Sequence, residues 1–109
     1  MGGMDQARHA MERGQIVRLL QEDYAARMTT ALTLLRALDA LGYSLSPEGL
    51  AFHLEILAEK GYIQVWRAKD RKGYRRDRGA RPETIEFAKL TARGVELLDG
   101  LVEDGQVAF

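Results

Sequence analysis

Ser46-Pro47-Glu48-Gly49-Leu50-Ala51-Phe52-His53-Leu54-Glu55-Ile56-Leu57-Ala58-Glu59-Lys60-Gly61 runs without a break into Tyr62-Ile63-Gln64-Val65-Trp66-Arg67, and the periodicity changes at Gly61. Before it, Leu50, Leu54 and Leu57 recur at four and three residues, the spacing that gathers side chains on one helical face. Ser46 suits an N-cap, and Pro47 suits the first helical position, where its missing N–H costs nothing. Gly61 suits a left-handed cap. After it, β-branched and aromatic residues alternate with polar ones, as they do again in Thr84-Ile85-Glu86-Phe87-Ala88, so two strands are expected. Between the strands, residues 70–82 hold Gly73, Gly79 and many charges without apolar periodicity, which reads as a long hairpin loop at about 69–82.

Upstream, Ile16, Leu19, Leu20 and Tyr24 predict a helix over about 5–24. Leu34, Leu35, Leu38 and Leu41 predict a second helix, capped by Thr29 or Thr30 and ended by Gly42. Downstream, Thr91 caps a last helix whose apolar stripe is Val95, Leu98, Leu101 and Val102, and residues 105–109 are expected to fray. The result is a mainly helical α+β chain forming one domain over residues 1–109, a size at which a single core buries about two thirds of the unfolded surface.

Composition narrows the function. Without cysteine the chain has no disulfide, thiolate nucleophile or thiolate zinc site, and only His9 and His53 supply imidazole, so no metal or cofactor is expected. No apolar run approaches the roughly 20 residues needed to cross a bilayer, and the first residues lack the basic and apolar regions of a secretory leader. A cytoplasmic protein without membrane contact is expected. The formal net charge is zero, but residues 67–81 carry eight basic side chains against two acidic ones, leaving eight against fourteen in the remainder. A cationic segment of +6 is thus attached to an anionic body.

The element order resembles the winged helix-turn-helix superfamily of DNA-binding proteins. Phe52-His53-Leu54-Glu55-Ile56-Leu57-Ala58-Glu59-Lys60-Gly61-Tyr62-Ile63 is similar to the end of the recognition helix and first wing strand of ArsR-type and MarR-type repressors. Leu90-Thr91-x-x-Gly94 followed by Leu97-Leu98 is similar to the start of the helix after the wing. The match covers about residues 16–101, and the short linkers and the Leu-Thr-x-x-Gly ending are also similar to small winged-helix proteins of Mu-like prophages. The resemblance implies three helices, a two-stranded wing and a C-terminal helix, double-stranded DNA as partner, a role in transcription regulation, and a homodimer built from the terminal helices.

Two sets of residues are candidates for contact. In the wing, Arg67, Lys69, Arg71, Lys72, Arg75, Arg76, Arg78 and Arg81 suit phosphates, and Tyr74 or Trp66 could stack on sugars or bases. The outward face of the third helix is expected to hold Glu48, Gly49, Ala51, Phe52, Glu55 and Glu59, with none of the Arg, Lys, Asn or Gln side chains that read purines bidentately. That acidic, partly apolar face points instead to a basic protein partner meeting Phe52, Glu55, Ile56 and Glu59. His53 and Glu55 are two apart and share no face, so His53 is expected to pack or hydrogen-bond, and Trp66 and Phe87 to pack between strands. No phosphate-binding glycine loop and no nucleophile–base spacing occurs, so no enzyme is expected.

Overall fold

The structure, a computed structural model, describes residues 2–22, 29–67 and 85–109, with side chains from residue 5 onward. The whole of the expected wing loop at 69–82, with Lys69, Arg71, Lys72, Tyr74, Arg75, Arg76, Arg78 and Arg81, lies outside the described residues, as does Tyr24. The elements are α1 (Gly2–Glu22), β1 (Thr29–Thr30), α2 (Ala31–Ala40), α3 (Pro47–Glu59), β2 (Ile63–Arg67), β3 (Ile85–Leu90) and α4 (Ala92–Leu98). The chain is therefore α+β and mostly helical, with an antiparallel sheet in the order β1-β3-β2. Among the described residues, no helix is long and apolar enough to cross a membrane.

Local chemistry accounts for the boundaries. The hydroxyls of Thr30, Ser46 and Thr91 accept the N–H groups of Thr33, Gly49 and Gly94 at 3.0–3.1 Å, satisfying donors that the first helical turn leaves open. At the far end of α3, Gly61 adopts a positive φ of 84°. The N–H of Tyr62 then reaches the Leu57 carbonyl at 3.0 Å, closing the helix and turning the chain into β2. Thr91 ties the two ends of this unit together, since its hydroxyl also donates to the Gly61 carbonyl at 2.6 Å and its N–H to the Tyr62 carbonyl at 3.0 Å.

The core lies where the helices meet the sheet. Ile16, Val17 and Leu20 of α1, Leu34 and Leu38 of α2, and Leu50, Leu54 and Leu57 of α3 close on Ile63, Ile85, Ala88 and Leu90. Leu54 and Leu57 have no exposed surface, and burial of each stabilises by roughly 1.5–3 kcal/mol. Trp66 pairs with Phe87 across β2 and β3, and the register slips between Trp66 and Arg67. Both rings are half-buried, as strand packing requires.

The structure departs from the sequence expectation in several places. β1 is an additional strand: Thr29 pairs with Ala88 and Thr30 with Phe87. The α2 cap, by contrast, falls on one of the two expected residues, Thr30. Leu41 lies beyond the last turn of α2 and is half-exposed, and Ala51 is buried rather than outward. The last helix ends at Leu98 because Gly100 takes a φ of 82° and the Leu101 N–H turns back to the Glu96 carbonyl at 2.9 Å. Leu101 is consequently 75% exposed, and Leu97 occupies the core instead.

Residues 105–109, expected to fray, are docked. Val107 is buried, the Ala108 N–H donates to the Ala10 carbonyl at 2.9 Å, and the Arg13 guanidinium donates to the Gln106 carbonyl at 2.8 Å. Arg18 lies 5.4 Å over the Phe109 ring. Gly14 makes the approach possible, for a Cβ there would overlap the Ala108 carbonyl oxygen. Asp104 anchors the start of this segment, accepting from the Tyr62 hydroxyl at 2.8 Å and the Gln106 N–H at 2.9 Å, with Lys60 Nζ at 3.1 Å. Burial disfavours its charge, but the Gln106 N–H, the Tyr62 hydroxyl and Lys60 outweigh burial and hold its pKa below the ordinary aspartate value. The same burial, reinforced by Asp104, pushes the Tyr62 hydroxyl upward.

Candidate functional site

α3 and the β2–β3 hairpin carry both candidate sets. Because Ser46 and Gly61 fix the two ends of α3 and Leu50, Leu54 and Leu57 fix its inward face, the outward positions follow from helical geometry. Glu48, Phe52 and Glu59 are exposed, Glu55 and Ile56 are half-buried, and Phe52 retains 55% of its surface. Its ring lies 6.2 Å, centroid to centroid, from that of His53 and is otherwise open on the helix between Glu48 and Glu59.

One member of each set meets the other. Arg67, at the end of β2, donates through Nη2 to Glu55 Oε2 of α3 at 2.5 Å. This half-buried, charge-assisted bond fastens the base of the hairpin to α3 and removes one carboxylate from the acidic face. It also commits Arg67, whose Nη1 is buried without a hydrogen-bond partner among the described residues. Lys69, Arg71, Lys72, Tyr74, Arg75, Arg76, Arg78 and Arg81 lie outside the described residues; β2 and β3 define where the chain carrying them leaves and re-enters the sheet.

On the opposite flank of α3 lies a network that spacing along the chain does not reveal. His53 is almost wholly buried, and its Nε2 lies 2.8 Å from Glu12 Oε1 of α1, which is equally buried. His9, one helical turn before Glu12, places Nδ1 3.3 Å from the same oxygen, while Arg8 Nε reaches Glu12 Oε2 at 3.1 Å. The two imidazoles meet edge to face with centroids 5.3 Å apart. Burial lowers the His53 pKa and the Arg13 charge adds to this, against the opposing pull of Glu12; the imidazole is held toward its neutral form. Burial opposes the charge of Glu12 as well, but its bonds to His53, His9 and Arg8 keep its pKa below the ordinary glutamate value. Among the described residues, His9, Glu12 and His53 are the group with metal-ligand chemistry.

Comparison with protein-family models, curated proteins and solved structures found no match. His53 packs and hydrogen-bonds, as its place in the sequence suggests, but its partner is Glu12, 41 residues away, rather than any neighbour on its own helix. The only signal in the sequence is the spacing of His9 and Glu12, which places them on one face of α1. The helix crossing that delivers His53 to that face is a tertiary property.

Proposed function

We propose that the chain is a cytoplasmic winged-helix DNA-binding regulator, and not an enzyme, that holds duplex DNA chiefly through the cationic segment at 67–81. The observation that carries this reading is a net charge of +6 concentrated in those residues while the rest of the chain is anionic. The antiparallel pairing of β2 with β3 supports it, because a basic connection between two paired strands beside a capped third helix is the arrangement the winged-helix resemblance implies. Arg67 is occupied by Glu55, so phosphate contact falls to the cations beyond it. The outward side chains of α3 offer no bidentate purine reader, so binding should follow charge and shape more than sequence.

Fluorescence anisotropy with two unrelated mixed-sequence duplexes tests this. Both should bind with similar affinity, and three to five phosphate contacts should weaken binding by about 40- to 500-fold between 50 and 200 mM salt. Absence of binding to either duplex at 50 mM salt contradicts the reading. The 55% exposure of Phe52 favours a second reading, a protein-interaction module in which Phe52 and Ile56 enter a basic partner's apolar pocket and Glu48 and Glu59 form the rim. Under that reading Phe52→Ala abolishes partner capture; under the first, DNA affinity survives the same substitution.

A further inference from the structure

We propose that His9 and Glu12 of α1 and His53 of α3 bind a single divalent transition-metal ion of the zinc class, bridging the two helices. Two imidazole nitrogens and a carboxylate oxygen are a donor set that such ions accept, and the three ligand atoms all lie within 4.8 Å of one another. His9 Nδ1 and His53 Nε2 stand 3.3 and 2.8 Å from the same Glu12 oxygen. Donors around a tetrahedral ion with bonds of about 2.0–2.1 Å are separated by roughly 3.3 Å, so the two edges that meet at Glu12 are near the required size, while the spread of up to 4.8 Å across the group must shorten by a swing of the His9 ring. The His9 side chain is half-exposed and free to complete the adjustment, whereas Glu12 and His53 are packed in place. Of the three, only His9 lines the open cavity of about 300 Å³ that it shares with Gln6, Arg13, Gly105 and Gln106, so an ion and its water ligand would enter past the His9 ring.

The surroundings decide which ion. Arg8 occupies the second oxygen of Glu12, and the Arg13 charge acts on His53. Hard, oxygen-seeking cations such as magnesium would therefore find one carboxylate oxygen and two guanidinium groups, an unfavourable field. Zinc, cobalt or nickel gains from the imidazoles what it loses to the arginines. His53 Nδ1 has no hydrogen-bond partner among the described residues, so the ligand lacks the usual support behind it, and affinity should be weaker than in a four-ligand structural zinc site.

The test uses the full chain without an affinity tag, titrated with cobalt, zinc and magnesium. The expected result is one zinc per chain by calorimetry, visible cobalt absorption of a low-symmetry four-coordinate ion, and no magnesium binding. At a zinc concentration about a hundred times Kd, the melting temperature should rise by about 10 °C. His9→Ala should weaken zinc binding at least tenfold while leaving the metal-free melting temperature nearly unchanged, because the ring is half-exposed. His53→Gln should weaken zinc binding as much if it folds, with a lower metal-free melting temperature because that ring is buried, and His9→Ala decides alone if it does not fold. Absence of zinc binding at millimolar concentration, equal binding of zinc and magnesium, or unchanged affinity in His9→Ala would overturn the assignment. None of the three residues belongs to the basic segment at 67–81, so these results do not depend on DNA binding.

Discussion

Two residues show how far single positions determine this fold. Leu54 is fully buried in the core cluster that the helices and the sheet share, so Leu54→Ala removes buried methyl groups and leaves a cavity that its neighbours fill only in part. A drop of about 2–5 kcal/mol is expected, read from the urea midpoint, and an unchanged midpoint would contradict its placement. Gly94 is the opposite case, a position with no room. A Cβ there would overlap the Tyr62 carbonyl oxygen and stand 2.6 Å from Leu90 Cδ1, so α4 rests directly on the backbone that follows α3. Alanine would gain about 1 kcal/mol in helix propensity, but the overlap with a backbone atom outweighs it. Gly94→Ala should therefore cost about 1–3 kcal/mol, and a rise in the urea midpoint would contradict the close approach. The Leu90-Thr91-x-x-Gly94 pattern is legible as a helix start. The close approach that makes its glycine indispensable is not, because Tyr62 lies a whole hairpin away in the chain.

Among the elements, legibility follows locality. α3 carries its cap, its stop and its leucine face within one stretch of sequence, and it is readable almost to the residue. β1 is two residues long and exists only because β3 offers an edge, so no periodicity could announce it. The segment 105–109 misleads for a related reason: Gly105-Gln106-Val107-Ala108-Phe109 is too short to carry a helical or strand periodicity and looks like a frayed end until α1, opened by Gly14, supplies a surface. Docking of this segment depends on Asp104, whose pKa in the folded chain lies below its ordinary value of 3.8. A carboxyl depressed on folding contributes stability that is present above its unfolded pKa and is lost as the pH falls through the folded one. Unfolding free energy should thus decline below about pH 4. Asp104→Asn should lower stability by about 1–2 kcal/mol at pH 7 and flatten that acid limb, measured by urea denaturation across roughly pH 2–7. A variant with the wild-type acid limb would show that Asp104 is not the anchor.

For the whole molecule, the governing feature is the separation of charge: +6 in residues 67–81 against −6 elsewhere. This is visible in composition alone, since a run of cations needs no tertiary structure to be recognised. The Arg67–Glu55 bond is not visible there, and it assigns one of those cations to holding the hairpin base on α3. Under the proposed reading, the anionic body should repel phosphates and limit DNA contact to the basic segment. Each phosphate neutralised releases counterions and contributes about −0.9 to the slope of log K against log salt. Three to five phosphates met by the cations beyond Arg67 give a slope of roughly −2.7 to −4.5. Replacing Arg75, Arg76 and Arg78 together by alanine should weaken binding nearly equally for unrelated duplexes. The slope should flatten by about 0.9 for each phosphate no longer neutralised, with the urea midpoint unchanged. The salt dependence of duplex binding, measured side by side for the wild-type chain and this triple variant, is the most direct test: the predicted result is a shallower line for the variant, and coincident lines of equal slope would contradict DNA binding through the basic segment.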